Sequence, residues 1–503
     1  MAEVLAVRAP VAPAQGRRFW RLWASPVAAA SVALLAPLPV LARWPLGHTE
    51  TVSVDVATRS LPAIMHVLRH TDAPLGAYYL MLHFWLQLGH GEAFVRLPSL
   101  FFAAAAVAVT VVLGRRIFGA RVGVGAGLLL ALSPLALGSS VEARPYPLMM
   151  LLSAGSTLLF MKAVEAGSKP ARAQYALVGI VAIYAHLFAA LTIAAHAVAL
   201  AGHHRRVWRA FVIPFAAMAV GALPIFAFVV TQQSSENAWI PPLSLHGIVD
   251  TATRLTGGLA LLGVIGVLAA FGATTVVARW RRERTEHAWR QLAVVLCLIV
   301  PPLVVTLLSL AKPLLLQRYL SEILPPLAIV TAVGVAALPK RAAQWGAASL
   351  VGCLLGGALW RMAHNPFRFD DARAAAAAVV ANAQPGDVVT FAPSYKRVQF
   401  DYYFDRLPAG QRGMVTDIAF KQDAASAGTL YATEVSTPSL ALRLRGRARI
   451  WIVGDVPLPP HLASATEPMV AFEQSPAFGA YRLERDSRFG GMHVRLFVLK
   501  PAG

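Results

Sequence analysis

Long apolar runs separated by short polar segments dominate the first 360 residues of the chain. A helix that spans a bilayer needs about 20 mostly apolar residues, and fewer where it packs inside a bundle. About eleven runs qualify, and they lie near 25–43, 97–113, 122–139, 147–164, 174–185, 187–202, 210–230, 256–278, 291–310, 320–338 and 344–360. The fifth and sixth runs are continuous except for a break at Tyr184-Ala185-His186, which we interpret as a tight hairpin of two short helices. The pattern predicts a mostly α-helical bundle that crosses the membrane many times.

The pattern changes completely after residue 360. A helical stretch over 371–383 is followed by β-rich segments at 388–391, 448–453 and 493–498, each bounded by Gly, Asp or Pro. A helix followed by separated strands predicts a small α/β domain. The chain therefore divides into an N-terminal segment (1–24), a transmembrane domain (25–360) and a C-terminal α/β domain (361–503).

Composition agrees with burial in lipid. The 503 residues are 57% hydrophobic and 14% charged, whereas soluble domains carry about 25% charged residues. Cys297 and Cys353 both lie in apolar runs, so we expect neither a disulfide framework nor a thiolate metal site. The sequence has no Walker loop, GxGxxG turn or HExxH helix, which argues against nucleotide-binding and zinc-protease functions.

The net charge of +20 is distributed as a topology signal. The basic residues occur in short runs between apolar segments, not in the aromatic-laced patch of a nucleic-acid binder. With the N-terminus in the cytoplasm, 20 of the 28 Lys and Arg residues before position 361 fall on the cytoplasmic side. We therefore predict a cytoplasmic N-terminus, a retained first helix, an extracytoplasmic C-terminal domain and no nucleic-acid partner.

The long first outer loop, 44–96, carries two candidate catalytic acids. Glu50 lies just beyond the first apolar run, where a carboxylate can take a proton from an acceptor hydroxyl; a solvated helix-start residue is the alternative. Asp72 lies in a turn before Pro74, where a turn cap is the alternative. Aromatic side chains that can contact a substrate follow it, namely Tyr78, Tyr79 and His83. The stretch 61–68 is amphipathic and is predicted to lie along the membrane surface.

Three other outer positions carry candidate groups. Glu142 and Arg144 follow the third apolar run, where an ion pair beside the membrane is costly without a purpose; a salt bridge between helices is the alternative. Arg318 opens the tenth run beside Tyr319 and either binds a lipid phosphate or extends to the headgroups. His186, at the predicted hairpin tip, either binds substrate or caps the loop.

Taken in order, these segments resemble the GT-C superfamily of glycosyltransferases that use polyprenyl-phosphate-linked sugars. Within it the chain is most similar to the family-39 type, which includes bacterial protein O-mannosyltransferases and lipid A aminoarabinose transferases. The matching segments are Glu50, Asp72-Ala73-Pro74, Tyr78-Tyr79-Leu80, His83, Phe94-Val95-Arg96-Leu97-Pro98-Ser99, Glu142-Ala143-Arg144-Pro145-Tyr146 and Gln317-Arg318-Tyr319-Leu320. In the tail, 385–389 and Tyr402-Tyr403 resemble the outer domain of actinobacterial members.

The chain departs from the family pattern at one position. Members usually carry an Asp-Glu pair in the first loop, whereas this chain has Thr49-Glu50. We expect Glu50 to replace the missing base, with Asp55 as the second choice, and a diverged or inactive member is the remaining alternative. Asp72, with His83 or His186, is expected to orient the acceptor or to hold a cation.

The resemblance implies transfer, with inversion, of a sugar from a polyprenyl-phosphate donor on the outer face of a bacterial plasma membrane. Mannose is favoured over arabinofuranose, and the acceptor is an envelope glycan, a lipoglycan or a protein. Arg318, Arg144 and Tyr319 are expected to bind the donor phosphate, while Glu142 contacts substrate. No metal site is predicted, and Mg²⁺ or Mn²⁺ stays open because the superfamily varies in metal dependence. A transporter or flippase of lipid-linked sugars and a non-catalytic envelope-binding protein are the alternatives.

Overall fold

The chain folds into a membrane helix bundle that carries a small mixed α/β domain. The computed structural model describes residues 15–202, 205–232, 240–364, 370–455 and 467–501. Most of the predicted N-terminal segment lies outside these residues. The predicted domain boundary at 361 falls within the last helix of the bundle, which ends at His364.

The bundle contains helices from Gln15 to His364. They are α1 (Gln15–Leu35), α2 (Leu38–Leu41), α3 (His48–Thr58), α4 (Leu61–His70), α5 (Gly76–Leu86), α6 (Glu92–Phe118), α7 (Ala120–Ala131), α8 (Pro134–Ser140), α9 (Tyr146–Ala166), α10 (Lys169–Ala185), α11 (Ala189–Ala201), α12 (Arg205–Thr231), α13 (Leu245–Thr256), α14 (Leu259–Glu283), α15 (Glu286–Leu308), α16 (Leu324–Ala336) and α17 (Lys340–His364). Within the described ranges, eight helices are long and apolar enough to cross a membrane, or nine if α7 and α8 form one span bent by 58°. A polytopic α-helical fold is thereby confirmed.

The predicted number of about eleven spans exceeds this count because of short helices. The expected break at His186 is present, but α10 has 17 residues and α11 has 13, so neither passes as a full span by itself. The bend between α7 and α8 coincides with Pro134, which has no N–H to continue the first helix. The hairpin interpretation and the orientation of the chain stay predictions.

The first outer loop is largely helical. Helix α4 begins at Leu61 because the Ser60 hydroxyl accepts a hydrogen bond from the N–H of Ala63 and Pro62 occupies the first turn. The residues Ile64, Val67 and Leu68 are buried on one face of α4, as the amphipathic pattern predicts. A 3₁₀ turn over Ala73–Leu75 then leads into α5. The loop therefore packs as a layer of short helices on the bundle.

The C-terminal domain contains a five-stranded mixed sheet with the strand order β2-β1-β5-β7-β6. Strand β1 (Asp387–Ala392) pairs in parallel with β2 (Val415–Asp417) and with β5 (Arg449–Asp455). Strand β7 (Met492–Leu499) runs antiparallel between β5 and β6 (Tyr481–Phe489). A separate ribbon consists of β3 (Phe420–Gln422) and β4 (Thr433–Glu434). The helices are α18 (Ala372–Asn382), α19 (Lys396–Phe404), α20 (Ala409–Arg412), α21 (Ala424–Ala427), α22 (Thr437–Leu444) and α23 (Pro468–Glu473).

The predicted helix at 371–383 and the three predicted strands are present in this domain as α18, β1, β5 and β7. Strand β6 escaped prediction because it is rich in charged residues and lies exposed at the sheet edge, so it lacks the apolar alternation of a half-buried strand. Helix α19 packs on the bundle side of the domain, where its Tyr402 reaches the core cluster of the outer loop. This contact places the α/β domain directly over α3.

Candidate active site

Glu50 lies in the first turn of α3 and is buried in an ion pair with Arg96. Arg96 Nε donates to Glu50 Oε1 at 2.8 Å, and Nη2 donates to Oε2 at 3.0 Å. The backbone N–H of Ala143 donates to Oε1 at 3.0 Å, and that of Gly47 donates to Oε2 at 2.8 Å. Four donors therefore surround the two carboxylate oxygens, which leaves them little capacity to accept another proton.

Arg96 extends this connection to the end of the first span. Its Nη1 donates to the carbonyl oxygens of Leu41 at 2.6 Å and Trp44 at 2.8 Å, and its Nη2 donates to Pro45 at 2.9 Å. The side chain is fully buried on α6. The pair thus joins the loop after α2, helix α3, helix α6 and the 142–145 loop at one point.

Asp72 has a different environment. Its backbone is left-handed, with φ 55° and ψ 26°, a conformation that costs energy but that Asp tolerates better than most residues. The Tyr79 hydroxyl donates a hydrogen bond to Oδ2, and no other hydrogen bond to this carboxylate is present in the described part of the chain. Burial raises the pKa of Asp72 above its usual range, and Arg144 and Tyr79 counteract that rise. Asp72 is therefore a half-buried carboxylate with one oxygen available to a ligand.

Arg144 lies in the loop between α8 and α9 and is buried. Its Nη1 donates to Ser53 Oγ at 3.1 Å and to the carbonyl oxygen of Thr49 at 3.4 Å. Burial alone would lower its pKa, but the surrounding Tyr146, Tyr79 and Asp72 raise it overall, so the guanidinium keeps its charge. Among the described residues it has no ion pair, so its charge remains uncompensated by a direct carboxylate contact.

A second guanidinium faces the same aromatic ring. The Cζ atom of Arg144 lies 5.9 Å from the centroid of Tyr146, and the Cζ atom of Arg318 lies 6.0 Å from it. Arg318 is presented by a 3₁₀ segment, Gln317–Ile323, that precedes α16. The Cζ atom of Arg318 lies 5.9 Å from the centroid of the Tyr319 ring. The centroid of the His186 ring lies 5.6 Å from that of Tyr146 and 5.8 Å from that of Tyr319.

Tyr146 and Arg318 border a cavity of about 660 Å³ between the helices. Its polar wall includes Glu142, Tyr146, Gln317 and Arg318, while Pro37, Val40, Pro134 and Leu315 belong to its apolar wall. Helix α13 closes another side with Asp250 and Arg254. The charged groups of the lining are two carboxylates, Glu142 and Asp250, and two guanidinium groups, Arg254 and Arg318. A largely apolar cavity with a few polar groups is typical of a ligand-binding site.

The remaining predicted residues have other environments. Asp55 accepts a hydrogen bond from Arg59 Nη2 at 2.5 Å, on the side of α3 that faces the C-terminal domain. The His83 ring contacts the carbonyl oxygen of Ala57 through Nδ1 at 2.8 Å and so joins α5 to α3. Tyr78 is fully buried in the core cluster of the loop. The structure therefore brings Arg144, Arg318, His186 and Tyr319 together around Tyr146. Asp72 and Tyr79 lie close enough to Arg144 to raise its pKa, and Glu142 lines the cavity with Tyr146 and Arg318.

Two neighbours of this group, His48 and Tyr431, escaped the sequence-based selection. His48 precedes Thr49, and its Nε2 lies 3.0 Å from the hydroxyl of Tyr431 in the C-terminal domain. A pair separated by 383 positions leaves no periodic signal in a single sequence. Arg96 was noted within a matching segment, but nothing in the sequence pairs it with Glu50.

In the part of the chain that the structure describes, no three His, Cys, Asp or Glu side chains cluster in a way that suits a metal ion. The dependence of the reaction on Mg²⁺ or Mn²⁺ therefore stays open, as in the sequence analysis.

Comparisons with known proteins agree with this architecture. Residues 71–231 match the model of a family described as dolichyl-phosphate-mannose-protein mannosyltransferase, whereas no curated protein matches the chain. ArnT from Cupriavidus metallidurans bound to undecaprenyl phosphate has a TM-score of 0.56 at 16% identity, covering 93% of this chain and 97% of that one. The Archaeoglobus fulgidus oligosaccharyltransferase AglB, in complex with an inhibitory peptide and a dolichol-phosphate, has a TM-score of 0.55 at 11% identity, covering 96% and 74%.

At these identities the structural similarity establishes the fold, which extends over nearly the whole chain. The family match covers a segment that contains Asp72, Arg144 and Tyr146. The chain therefore shares the fold of ArnT and AglB, and its residues 71–231 are similar to the mannosyltransferase family.

Proposed function

We propose that the protein transfers a sugar from a polyprenyl-phosphate donor to an acceptor hydroxyl of the cell envelope, on the outer face of the plasma membrane of a bacterium. The observation that carries this proposal is the pair of guanidinium groups, Arg144 and Arg318, that face Tyr146 beside the cavity. Arg144 is buried and forms no ion pair with any described residue; such a charge is costly, and an anionic ligand would offset that cost.

A phosphate ester meets these requirements. Its oxygens accept charge-assisted hydrogen bonds from guanidinium groups, and Tyr319, beside Arg318, would add a hydroxyl. The apolar wall of the cavity would receive the first isoprene units of the carrier. ArnT, which shares the fold, was solved with undecaprenyl phosphate, and this supports a carrier of the same kind here.

We assign the catalytic base to Asp72 in preference to Glu50, which the sequence favoured. Both oxygens of Glu50 are occupied by four donors, whereas Asp72 receives one hydrogen bond from Tyr79. The raised pKa of Asp72 makes its carboxylate a stronger base than an exposed aspartate. Asp55 is already paired with Arg59 and is assigned no part in proton transfer.

The reaction balances with these groups. Asp72 takes the proton of the acceptor hydroxyl while the oxygen of that hydroxyl attacks the anomeric carbon. The bond from the anomeric carbon to the phosphate oxygen then breaks, with inversion at the carbon. The electron pair leaves with the polyprenyl phosphate, whose charge Arg144 and Arg318 stabilise as it develops. A phosphate leaving group needs little protonation, so a separate general acid is unnecessary. Glu142, Tyr79 and His186 would contact the sugars around this centre.

The proposed donor sugar and acceptor rest on the similar proteins. The description of the matching family names mannose, which favours polyprenyl-phosphate mannose over the arabinofuranose donor. The acceptor is a hydroxyl of an envelope glycan, a lipoglycan or a protein. AglB, which shares the fold, was solved with an inhibitory peptide, and this supports a protein as one of these candidate acceptors.

The proposal is tested with the purified full-length protein in nanodiscs. Radiolabelled polyprenyl-phosphate mannose, and in parallel the arabinofuranose donor, is supplied with envelope fractions, and released polyprenyl phosphate is measured. The wild-type protein is expected to release polyprenyl phosphate from one of the two donors. A flippase or an envelope-binding protein would leave both donors intact, and that result would overturn the proposal.

Two variants separate the proposed roles. Asp72→Asn removes the base, so we expect kcat to fall about 10²- to 10⁴-fold with the donor KM little changed. Arg318→Ala removes one phosphate contact, so we expect the donor KM to rise about tenfold or more. Glu165→Gln, on the surface near Arg116, is the control. Normal turnover in Asp72→Asn would return the base to Glu50, and an unchanged donor dependence in Arg318→Ala would exclude its role as a phosphate ligand.

A further inference from the structure

The C-terminal domain encloses the N-terminus of α3, directly beside the proposed reaction centre. The N–H of Leu46 donates to the Tyr403 hydroxyl at 2.5 Å. Two positions later, the His48 ring stacks on Tyr431 with 5.7 Å between the centroids and lies 4.9 Å from the ring of Tyr395. All three tyrosines belong to the C-terminal domain. The domain therefore reaches the residue that immediately precedes Thr49-Glu50.

The His48 imidazole is neutral in this setting. Burial, together with the positive charges of Lys396 and Arg144, lowers its pKa to about 3. Lys396 is fixed nearby, because its Nζ lies 2.7 Å from Asp370 Oδ2 and 2.7 Å from Asp455 Oδ1. A neutral imidazole has one donor and one acceptor nitrogen, and Nε2 contacts the Tyr431 hydroxyl at 3.0 Å.

Tyr431 also contacts the acid side of the site. It packs against the core cluster that contains Tyr78 and Tyr79, and the Tyr79 hydroxyl donates to Asp72. Burial, Asp72 and, less strongly, Tyr431 raise the pKa of Tyr79, which therefore keeps the proton that it donates. His48 therefore contacts Tyr431, Tyr431 packs against the cluster that contains Tyr79, and Tyr79 donates to the proposed base, Asp72.

The segment that carries Tyr431 is held in place independently. Arg59 Nη1 donates to the carbonyl oxygen of Thr429 at 2.8 Å, and Arg59 is itself paired with Asp55. Gly428 has a positive φ of 67°, and a Cβ there would lie 2.3 Å from the His66 ring, so only glycine allows this approach. Tyr431 is therefore positioned by α3 and α4 on one side and by its own domain on the other.

We propose that Tyr431 and His48 are positioning residues for the transfer reaction, through which the C-terminal domain fixes the orientation of Tyr79 and hence of the Asp72 carboxylate. This inference rests on the proposed function. It implies that the outer domain is a working part of the active site, in addition to any role in holding the acceptor. A loss of the Tyr431 hydroxyl should change the rate of the chemical step, because misorientation of a base slows proton transfer without weakening donor binding.

The test compares four full-length variants by release of polyprenyl phosphate: Tyr431→Phe, His48→Phe, the double variant and the control Tyr481→Phe. Tyr481 lies in the same domain, and its hydroxyl donates to the carbonyl oxygen of Leu444 at 2.7 Å, remote from His48. We expect Tyr431→Phe and His48→Phe each to lower kcat about five- to tenfold, the size of one hydrogen bond, at an unchanged donor KM. The kcat of the double variant should be no lower than that of the more impaired single variant, because both changes break the same set of contacts.

A conservative variant guards against misfolding. His48→Gln retains an amide that can reach the Tyr431 hydroxyl, so its kcat should recover relative to His48→Phe. Wild-type turnover in Tyr431→Phe, multiplied losses in the double variant, or equal losses in Tyr481→Phe would overturn the inference while leaving the proposed function intact. No release by the wild-type protein would instead refute the proposed function, and this inference with it.

Discussion

Glu50 and Arg96 show how a residue that resembles a catalytic acid serves another purpose. Their side chains are 1% and 0% exposed, and each polar atom of the guanidinium–carboxylate pair has a partner. Such a buried pair contributes little net stability compared with a hydrophobic pair, but loss of one member leaves the other charge unpaired. At the residue scale, then, Glu50 is expected to matter first for folding.

Glu50→Gln is expected to lower the stability of the protein by about 3–5 kcal/mol, because the Arg96 charge stays buried without a counterion. The thermal unfolding temperature in detergent measures this change. Asp55→Asn is the matched control, since Asp55 pairs with Arg59 but its side chain is 41% exposed, and we expect at most about 1 kcal/mol there. A Glu50→Gln protein of normal stability that has lost transfer would restore Glu50 as the base.

At the scale of the elements, the local sequence predicts most of the helices, but it does not predict the contacts between elements that form the site. The apolar runs predict α6, α9, α12, α14 and α15, and the break at His186 is visible as Tyr184-Ala185-His186. The pairing of Glu50 with Arg96 spans 46 positions and that of His48 with Tyr431 spans 383. Such contacts depend on how elements pack, which a single sequence does not encode as a period. Strand β6 was missed because its charged residues match a loop as well as an edge strand.

The close approach of α14 and α16 offers a test at this scale. A Cβ at Gly334 would lie 2.0 Å from the carbonyl oxygen of Leu268, and one at Gly272 would lie 2.2 Å from that of Val330. Small residues permit such helix contacts in membranes. Gly334→Ala should therefore force the helices apart and cost about 1–3 kcal/mol, measured as a lower unfolding temperature.

Gly356→Ala on α17 is the control for this substitution, because nothing lies within 4 Å of the added Cβ. It should leave the unfolding temperature unchanged or slightly higher, since alanine favours a helix over glycine. Equal unfolding temperatures for the two variants would show that α14 and α16 do not pack as closely as described here.

For the whole molecule, the proposed chemistry requires the C-terminal domain and the reaction centre to lie on one side of the membrane. The contacts of Tyr431 with His48 and of Tyr403 with Leu46 join the domain to the first loop, so both must face the same compartment. The distribution of basic residues predicts that this compartment lies outside the cytoplasm, and this prediction requires the α10–α11 hairpin. A straight span in place of the hairpin would invert every element after it.

Cysteine labelling in intact cells decides between these topologies. In a background without Cys353, which is exposed, and with Cys297 buried, Lys421→Cys and Arg282→Cys place one thiol on β3 and one at the end of α14. We expect a membrane-impermeant maleimide to label Lys421→Cys in intact cells and Arg282→Cys only after the membrane is permeabilised. Labelling of both in intact cells, or of Arg282→Cys alone, would refute the hairpin and move the domain, the Asp72 carboxylate and the proposed donor site away from the envelope acceptors.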